Sequence, residues 1–175
     1  MSSFNTVMDA VRANNTISAI KLYESGVKIC NDWENKNYIV SLAAEKGNIE
    51  LIQYFRDCDF PWNAGGEIST AYHMAAHNGH VEVLKYLIIS ECPVNGKHNS
   101  IMQYAASGGD LSCLKFLVEN NFLTEKNNLF NFAAQHGRLE ALKYLYSIGC
   151  SWNAEGAFLA SQFEHNNWKD CKFTE

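Results

Sequence analysis

Apolar and polar positions along this chain follow a pattern that returns four times, at residues 41–63, 70–95, 103–123 and 131–153. Each copy runs from an apolar stretch into a glycine and out into a second apolar stretch. The glycines are Gly47, Gly79, Gly109 and Gly137. An alanine pair precedes each one: Ala43-Ala44, Ala75-Ala76, Ala105-Ala106 and Ala133-Ala134. Two residues after each glycine come Ile49, Val81, Leu111 and Leu139, and subtracting those numbers gives spacings of 32, 30 and 28 residues. Paired alanines let two backbones approach while keeping high helix propensity. A glycine between helical patterns supplies the left-handed conformation that ends one helix before the next begins. Each copy therefore predicts a short helix, a tight turn and a second, antiparallel helix.

The second helix of the copy carries apolar residues on more than one stripe. Val81, Val83, Leu84, Tyr86 and Leu87 recur as Leu139, Ala141, Leu142, Tyr144 and Leu145. That is wider than the single apolar face of a surface helix, and fits a helix held between neighbouring copies. Its outer face pairs Glu82 with Lys85 and Glu140 with Lys143, contacts worth a few tenths of a kcal/mol each. One copy alone cannot bury its apolar surface, so about three or more must stack. The prediction is an all-α solenoid of helix-turn-helix repeats forming one domain over 1–175. Repeats at 38–63, 70–95, 101–125 and 129–153 follow a worn first copy at 4–31, and 154–175 is a cap and tail with a helix at 158–161. In the worn copy Ala10, Ile17, Ile20, Leu22 and Tyr23 keep the apolar period, while Asn14-Asn15 replaces the glycine with a one-residue slip of register. Terminal copies are atypical because one flank faces water. Phe60 and Leu123 are assigned to the core, and a core place is favoured over an exposed anchor for Trp62 and Trp152. Asp110 is read as a helix-start residue.

Thr70, His73 and Ala75 match a T-P-L-H-x-A signature, Gly79-His80 with Glu82 match G-H-x-E, and Asn63, Asn95 and Asn153 fall where D-V-N-A opens a hairpin. On these residues the chain resembles the ankyrin repeat family across about residues 8–165. Ala71 replaces the usual proline, Asp59 and Glu91 stand where glycine normally caps the second helix, and the later copies are shorter than the usual length of about 33 residues. Loose copies of this kind, with Cys, Pro and Trp before the Asn, resemble those of protists and large DNA viruses. The resemblance implies a non-enzymatic module that binds a protein. It implies imidazoles at His73 and His80 hydrogen-bonded to backbone in an adjacent loop or repeat. It also implies that the residues after the alanine pair line a concave surface: Glu45 and Lys46, His77 and Asn78, Ser107 and Gly108, Gln135 and His136. Such a mixed row is either a solvated face or a recognition strip, and both readings stand at this point. The hairpin tips form a second candidate edge, with Ala64, Gly65, Glu67 and Ser69 in one copy and Lys97, His98 and Asn99 in the next. Loops on a rigid scaffold commonly carry binding.

Composition narrows the function classes. A chain of 175 residues with 47% hydrophobic content is expected to form one domain. It has no apolar run near the roughly 18 residues that a membrane span needs, and its start lacks the basic and apolar parts of a signal peptide. The expected setting is cytoplasmic, with the six cysteines reduced. Cys92 and Cys150 occupy one slot two copies apart, too distant to bridge, and without a C-x-x-C pair no metal site is expected. A net charge of −5 without a basic block argues against nucleic acid. No nucleotide loop, G-x-S-x-G or H-E-x-x-H is present, so neither catalytic residues nor a cofactor are assigned. The expected partner is another protein, bound by a monomer. Two alternatives stand beside this. The chain is an adaptor delivering a target to a ubiquitin ligase or other host complex, or it is a substrate of asparagine hydroxylation. The latter would act at Asn63 and Asn153, eight residues after Phe55 and Leu145, although Pro61 and Ser151 replace the preferred acidic residue.

Overall fold

The computed structural model describes residues 4–30, 38–62, 70–94, 98–126, 128–151 and 156. Among these the regular structure is helical, with ten helices and no strand. The chain divides into two compact units, Met1–Pro93 and Val94–Glu175. The first holds α1 (Val7–Arg12), α2 (Thr16–Glu24), α3 (Ile39–Glu45), α4 (Ile49–Asp57), α5 (Ala71–His77) and α6 (Val81–Ile89). Here α1, α3 and α5 pack in file, and each pairs with the helix that follows it. The second unit holds α7 (His98–Gly108), α8 (Leu111–Glu119), α9 (Leu129–Gln135) and α10 (Leu139–Ser147), with α7 against α9 and α8 against α10.

The alanine pairs are the seam of each unit: all eight are 0% exposed. Two neighbouring first helices can approach only where side chains are this small. Second helices bury Leu51, Ile52 and Phe55, then Val83, Leu84 and Leu87, in one unit, and Cys113, Leu114 and Leu117, then Ala141, Leu142 and Leu145, in the other. Their outer faces carry the ion pairs Lys85–Glu82 and Lys143–Glu140, both at 2.6 Å and open to solvent.

Both helices of a repeat end in the same way. After α6 the Glu91 N–H donates to Ile88 O (3.1 Å) and the Cys92 N–H to Leu87 O (3.0 Å). This is the Schellman arrangement, which closes over a residue in left-handed conformation. That residue is Gly26 in the first copy and Gly149 in the last, but Asp59 (φ 63°), Glu91 (φ 52°) and Asn121 (φ 62°) in between. The glycine-less copies thus keep the cap geometry and accept the backbone strain. In the last four copies the residue after it drops into the core: Phe60, Cys92, Phe122 and Cys150 are all buried. Phe60 is core as expected. Leu123 is not, being half-buried, because the cap register places Phe122 inward instead.

The first copy keeps its register rather than slipping. Asn14 takes the glycine's place at φ 52°, and the Asn15 N–H donates to Ala10 O at 2.9 Å, as the Asn48 N–H does to Ala43 O. Ile17 therefore falls in the slot of Glu50, Glu82 and Glu140, and it is 68% exposed rather than core. Tyr23 ties this copy to the next through edge-on contacts with Tyr54, Phe55 and Phe60, ring centres about 6 Å apart. Trp62, expected in the core, is half-buried; the Arg56 guanidinium lies over its ring at 4.5 Å and Tyr86 lies 6.4 Å away.

Candidate interaction surface

A helix advances about 100° per residue. On a first helix whose alanine pair faces inward, the second and third residues after the leading alanine therefore turn to solvent. The residue just before the pair projects between those two. This places Met74 between His77 and Asn78 in one unit, and Phe132 between Gln135 and His136 in the other.

In the first unit Glu45 and Lys46 are half-buried and answer each other, Lys46 Nζ to Glu45 Oε1 at 2.9 Å. His77 is half-buried. Asn78 is exposed, and its Nδ2 donates to Met74 O at 2.9 Å. Tyr38 Oη lies 3.4 Å from Met74 Sδ. In the second unit Gln135 and His136 are exposed. His136 Nδ1 lies 2.9 Å from Phe132 O; the carbonyl only accepts, so Nδ1 carries the hydrogen. Ser107 differs from the rest of the row. It is 7% exposed, and its hydroxyl donates to Gln103 O at 3.0 Å, so its side chain belongs to the helix and not to the open stripe.

His98 and Asn99 were expected at a hairpin tip, and instead they begin α7. Asn99 Nδ2 donates to Glu125 Oε2 at 2.9 Å, and the His98 ring packs 5.0 Å from Phe122. Those two contacts hold an added turn, making α7 eleven residues long against seven in α3, α5 and α9. Glu67, Ser69, Lys97, Asn63, Trp152 and Asn153, together with residues 157–175 of the tail, lie outside the described residues.

The two histidines of the family signature do structural work. His73 is 1% exposed, and its Nδ1 lies 2.6 Å from Thr70 Oγ1 and 3.4 Å from Thr70 N. It therefore serves a capping box in its own helix. His80 does reach the neighbouring repeat, with Nε2 2.8 Å from Glu45 O. In the second unit Arg138 Nε donates to Ser107 O at 2.9 Å, the same junction made with a different side chain. Asn48 does it toward the first copy, with Nδ2 2.7 Å from Asn14 Oδ1 and 2.8 Å from Thr16 Oγ1. Asp110 starts α8 as read from sequence, accepting the Cys113 N–H at 2.8 Å.

Sequence reasoning missed Met74, Tyr104 and Phe132. All three are half-buried large apolar side chains immediately before an alanine pair. The signal was available: a bulky apolar residue in the middle of a stripe that is otherwise polar. Burial pushes the Cys92 and Cys113 thiols up to about 12 and raises that of Cys150, which keeps them inert thiols rather than nucleophiles. Among the described residues no group of three His, Cys, Asp or Glu side chains is placed to hold a metal ion. Among the described residues no helix is long and apolar enough to cross a membrane.

The surface can therefore offer contact and hydrogen bonding, and the comparisons agree with that kind of work. No curated protein matches the sequence. The crystal structure of the human ASB11 ankyrin repeat domain matches with a TM-score of 0.60 at 16% identity, over 91% of this chain and 84% of that one. At that identity the likeness is one of fold. A family model for ankyrin repeats in three copies matches residues 7–98 and 73–155. Ankyrin repeats generally act as non-catalytic scaffolds for protein interaction. From the alanine seams, the capped turns and this match, the chain belongs to the ankyrin repeat family.

Proposed function

We propose that this protein is a non-enzymatic binding module that takes a protein partner on the solvent stripes of its first helices. The observation that supports it is a division of labour. Inter-repeat bonding is carried by Asn48, His80 and Arg138, one slot beyond the turn glycine. The side-chain bonds of Glu45, Lys46, Asn78 and His136 on the stripe stay within their own repeat. Side chains that the stacking does not use are available to a partner, and within each unit the packed first helices present them at a fixed spacing. His77 and Gln135 complete this contact set. Glu67, Ser69 and Lys97, which the sequence places at hairpin tips, are proposed as further contacts.

Affinity capture from cell lysate with mass spectrometry tests this reading. A partner retained by the wild type should be lost from a variant combining Lys46→Glu, His77→Ala and His136→Ala, by about tenfold or more, at an unchanged melting temperature. Retention that survives all three changes would place the contact elsewhere.

A further inference from the structure

The joints between repeats are made with unequal donors. A neutral imidazole has a single N–H, and His80 uses it on the Glu45 carbonyl at 2.8 Å. Arg138 fills the same slot in the second unit, where Nε alone makes the bond, to the Ser107 carbonyl at 2.9 Å. A guanidinium carries five N–H donors and a permanent charge, so those on its two Nη atoms are surplus to the joint. Its outer edge offers two parallel N–H bonds, the arrangement that matches the oxygens of a carboxylate.

This cation is exposed, and among the described residues it forms no ion pair. Asp110, which follows Gly109, accepts the Cys113 N–H at 2.8 Å, and Glu140 pairs with Lys143 at 2.6 Å. The side chain is also held in place. Its head is fixed by the Nε bond, and its stem lies on Gly109, where an added Cβ would come 2.5 Å from Cδ and 2.7 Å from Cγ. Exposed ion pairs are weak partly because two long side chains must be ordered to form them, and folding has already ordered this one. The stripe continues from it: His136 precedes it by two residues, and Ser107 lies one turn beyond Tyr104 on α7. A lone guanidinium on a chain of net charge −5 suits one carboxylate of a protein segment better than the repeated phosphates of a nucleic acid.

We propose that the two Nη groups of Arg138 receive a carboxylate, from an aspartate or glutamate of the partner protein. This rests on the protein-binding reading above and assigns the partner a negative charge at one place in the second unit.

The test is selection of a random peptide display library on the intact protein at about pH 8, where a free imidazole is neutral, followed by affinity measurement. The enriched peptides should share an Asp or Glu, and their affinity should fall about fivefold or more between about 50 and 500 mM NaCl. Exchanging that acid for its amide should weaken them about five- to tenfold. Arg138→His should cost the same, because it keeps the joint as His80 makes it and removes the fixed charge and the surplus donors. Both changes together should cost little more than either alone. Should Arg138→His lose helix content, the Arg138 Nε–H signal of the wild type decides instead: it should shift with the acidic peptide and not with the amide. Peptides without an acid, or acidic peptides for which the two losses simply add, would overturn the anchor, although the wider reading would then survive on another surface. A parallel library containing phosphoserine, if its phosphopeptides dominate, would overturn the choice of a carboxylate. If no peptide is enriched above an unrelated helical protein, the anchor fails, and the fate of the wider reading then rests on the capture experiment.

Discussion

His80 Nε2 lies 2.8 Å from the main-chain oxygen of Glu45, in the preceding repeat. The same imidazole covers Gly47, where an added Cβ would sit 2.8 Å from its Nδ1. The bond and the close approach make the turn glycine and the following side chain one device for joining repeats. Gly109 and Arg138 repeat it, with a Cβ placed 2.5 Å from Arg138 Cδ.

That device predicts a coupled pair of substitutions. His80→Ala should cost about 0.5–1.5 kcal/mol for the lost bond. Gly47→Ala should cost about 1–2 kcal/mol for its φ of 71°, and more for displacing the ring. In the double variant the ring is absent and only the backbone strain remains. Urea titrations of the four proteins should give a double-variant loss smaller than the sum of the singles; simple additivity would show that the contact is incidental.

Glu91→Gly should stabilise the protein. Glu91 holds φ 52° at the end of α6, a conformation that penalises a side chain by about 1–2 kcal/mol, partly offset by the greater freedom of glycine when unfolded. A net gain near 1 kcal/mol is expected as a higher denaturant midpoint at an unchanged slope. Asp59→Gly should gain less, because aspartate tolerates this region better. Gly149→Ala should lose about 1 kcal/mol or more, having φ 81° and Lys126 Nζ only 3.2 Å from the new Cβ.

Thr70→Ala removes the hydroxyl that meets both the N–H and the ring of His73. The loss of the cap together with a partner for a buried imidazole should cost about 1–3 kcal/mol. Thr70→Ser keeps the oxygen and should recover most of it. Equal melting temperatures for the alanine variant and the wild type would refute the capping box.

The buried thiols predict an alkaline limit to stability. Cys92 and Cys113 move from an ordinary 9.0 to about 12 by burial, and burial likewise raises Tyr72 above its ordinary 10.0. Above about pH 9 the unfolded chain releases these protons while the folded chain keeps them, so unfolding is favoured as pH rises. The melting temperature should hold steady up to about pH 9 and then fall progressively. In the native protein a thiol reagent should modify Cys30 and Cys58, which are half-buried, before Cys92, Cys113 and Cys150. Simultaneous labelling of all five would contradict the packing.

Much of this fold was legible because each repeat states it redundantly. An alanine pair, a glycine and a wide apolar helix agree with one another, and agreement across levels specifies a structure. What was missed followed from backbone geometry that residue identity does not display. Asn14 reads as a lost glycine, yet asparagine reaches the left-handed region, so the register that was expected to slip is kept and Ile17 turns outward. Phe122 and Leu123 are equally apolar, and the cap bond from the Phe122 N–H to Leu117 O decides between them. In the candidate site the polar row was readable from the family pattern. Tyr104 and Phe132 were passed over because a bulky apolar residue on a short helix resembles core until its angular position is worked out.

At the two junctions made by His80 and Arg138 the acceptor is a peptide carbonyl, an atom that no point mutation deletes. The donor can consequently be imidazole or guanidinium without altering how the layers meet. Such a joint tolerates drift: its sequence signature erodes while its geometry persists.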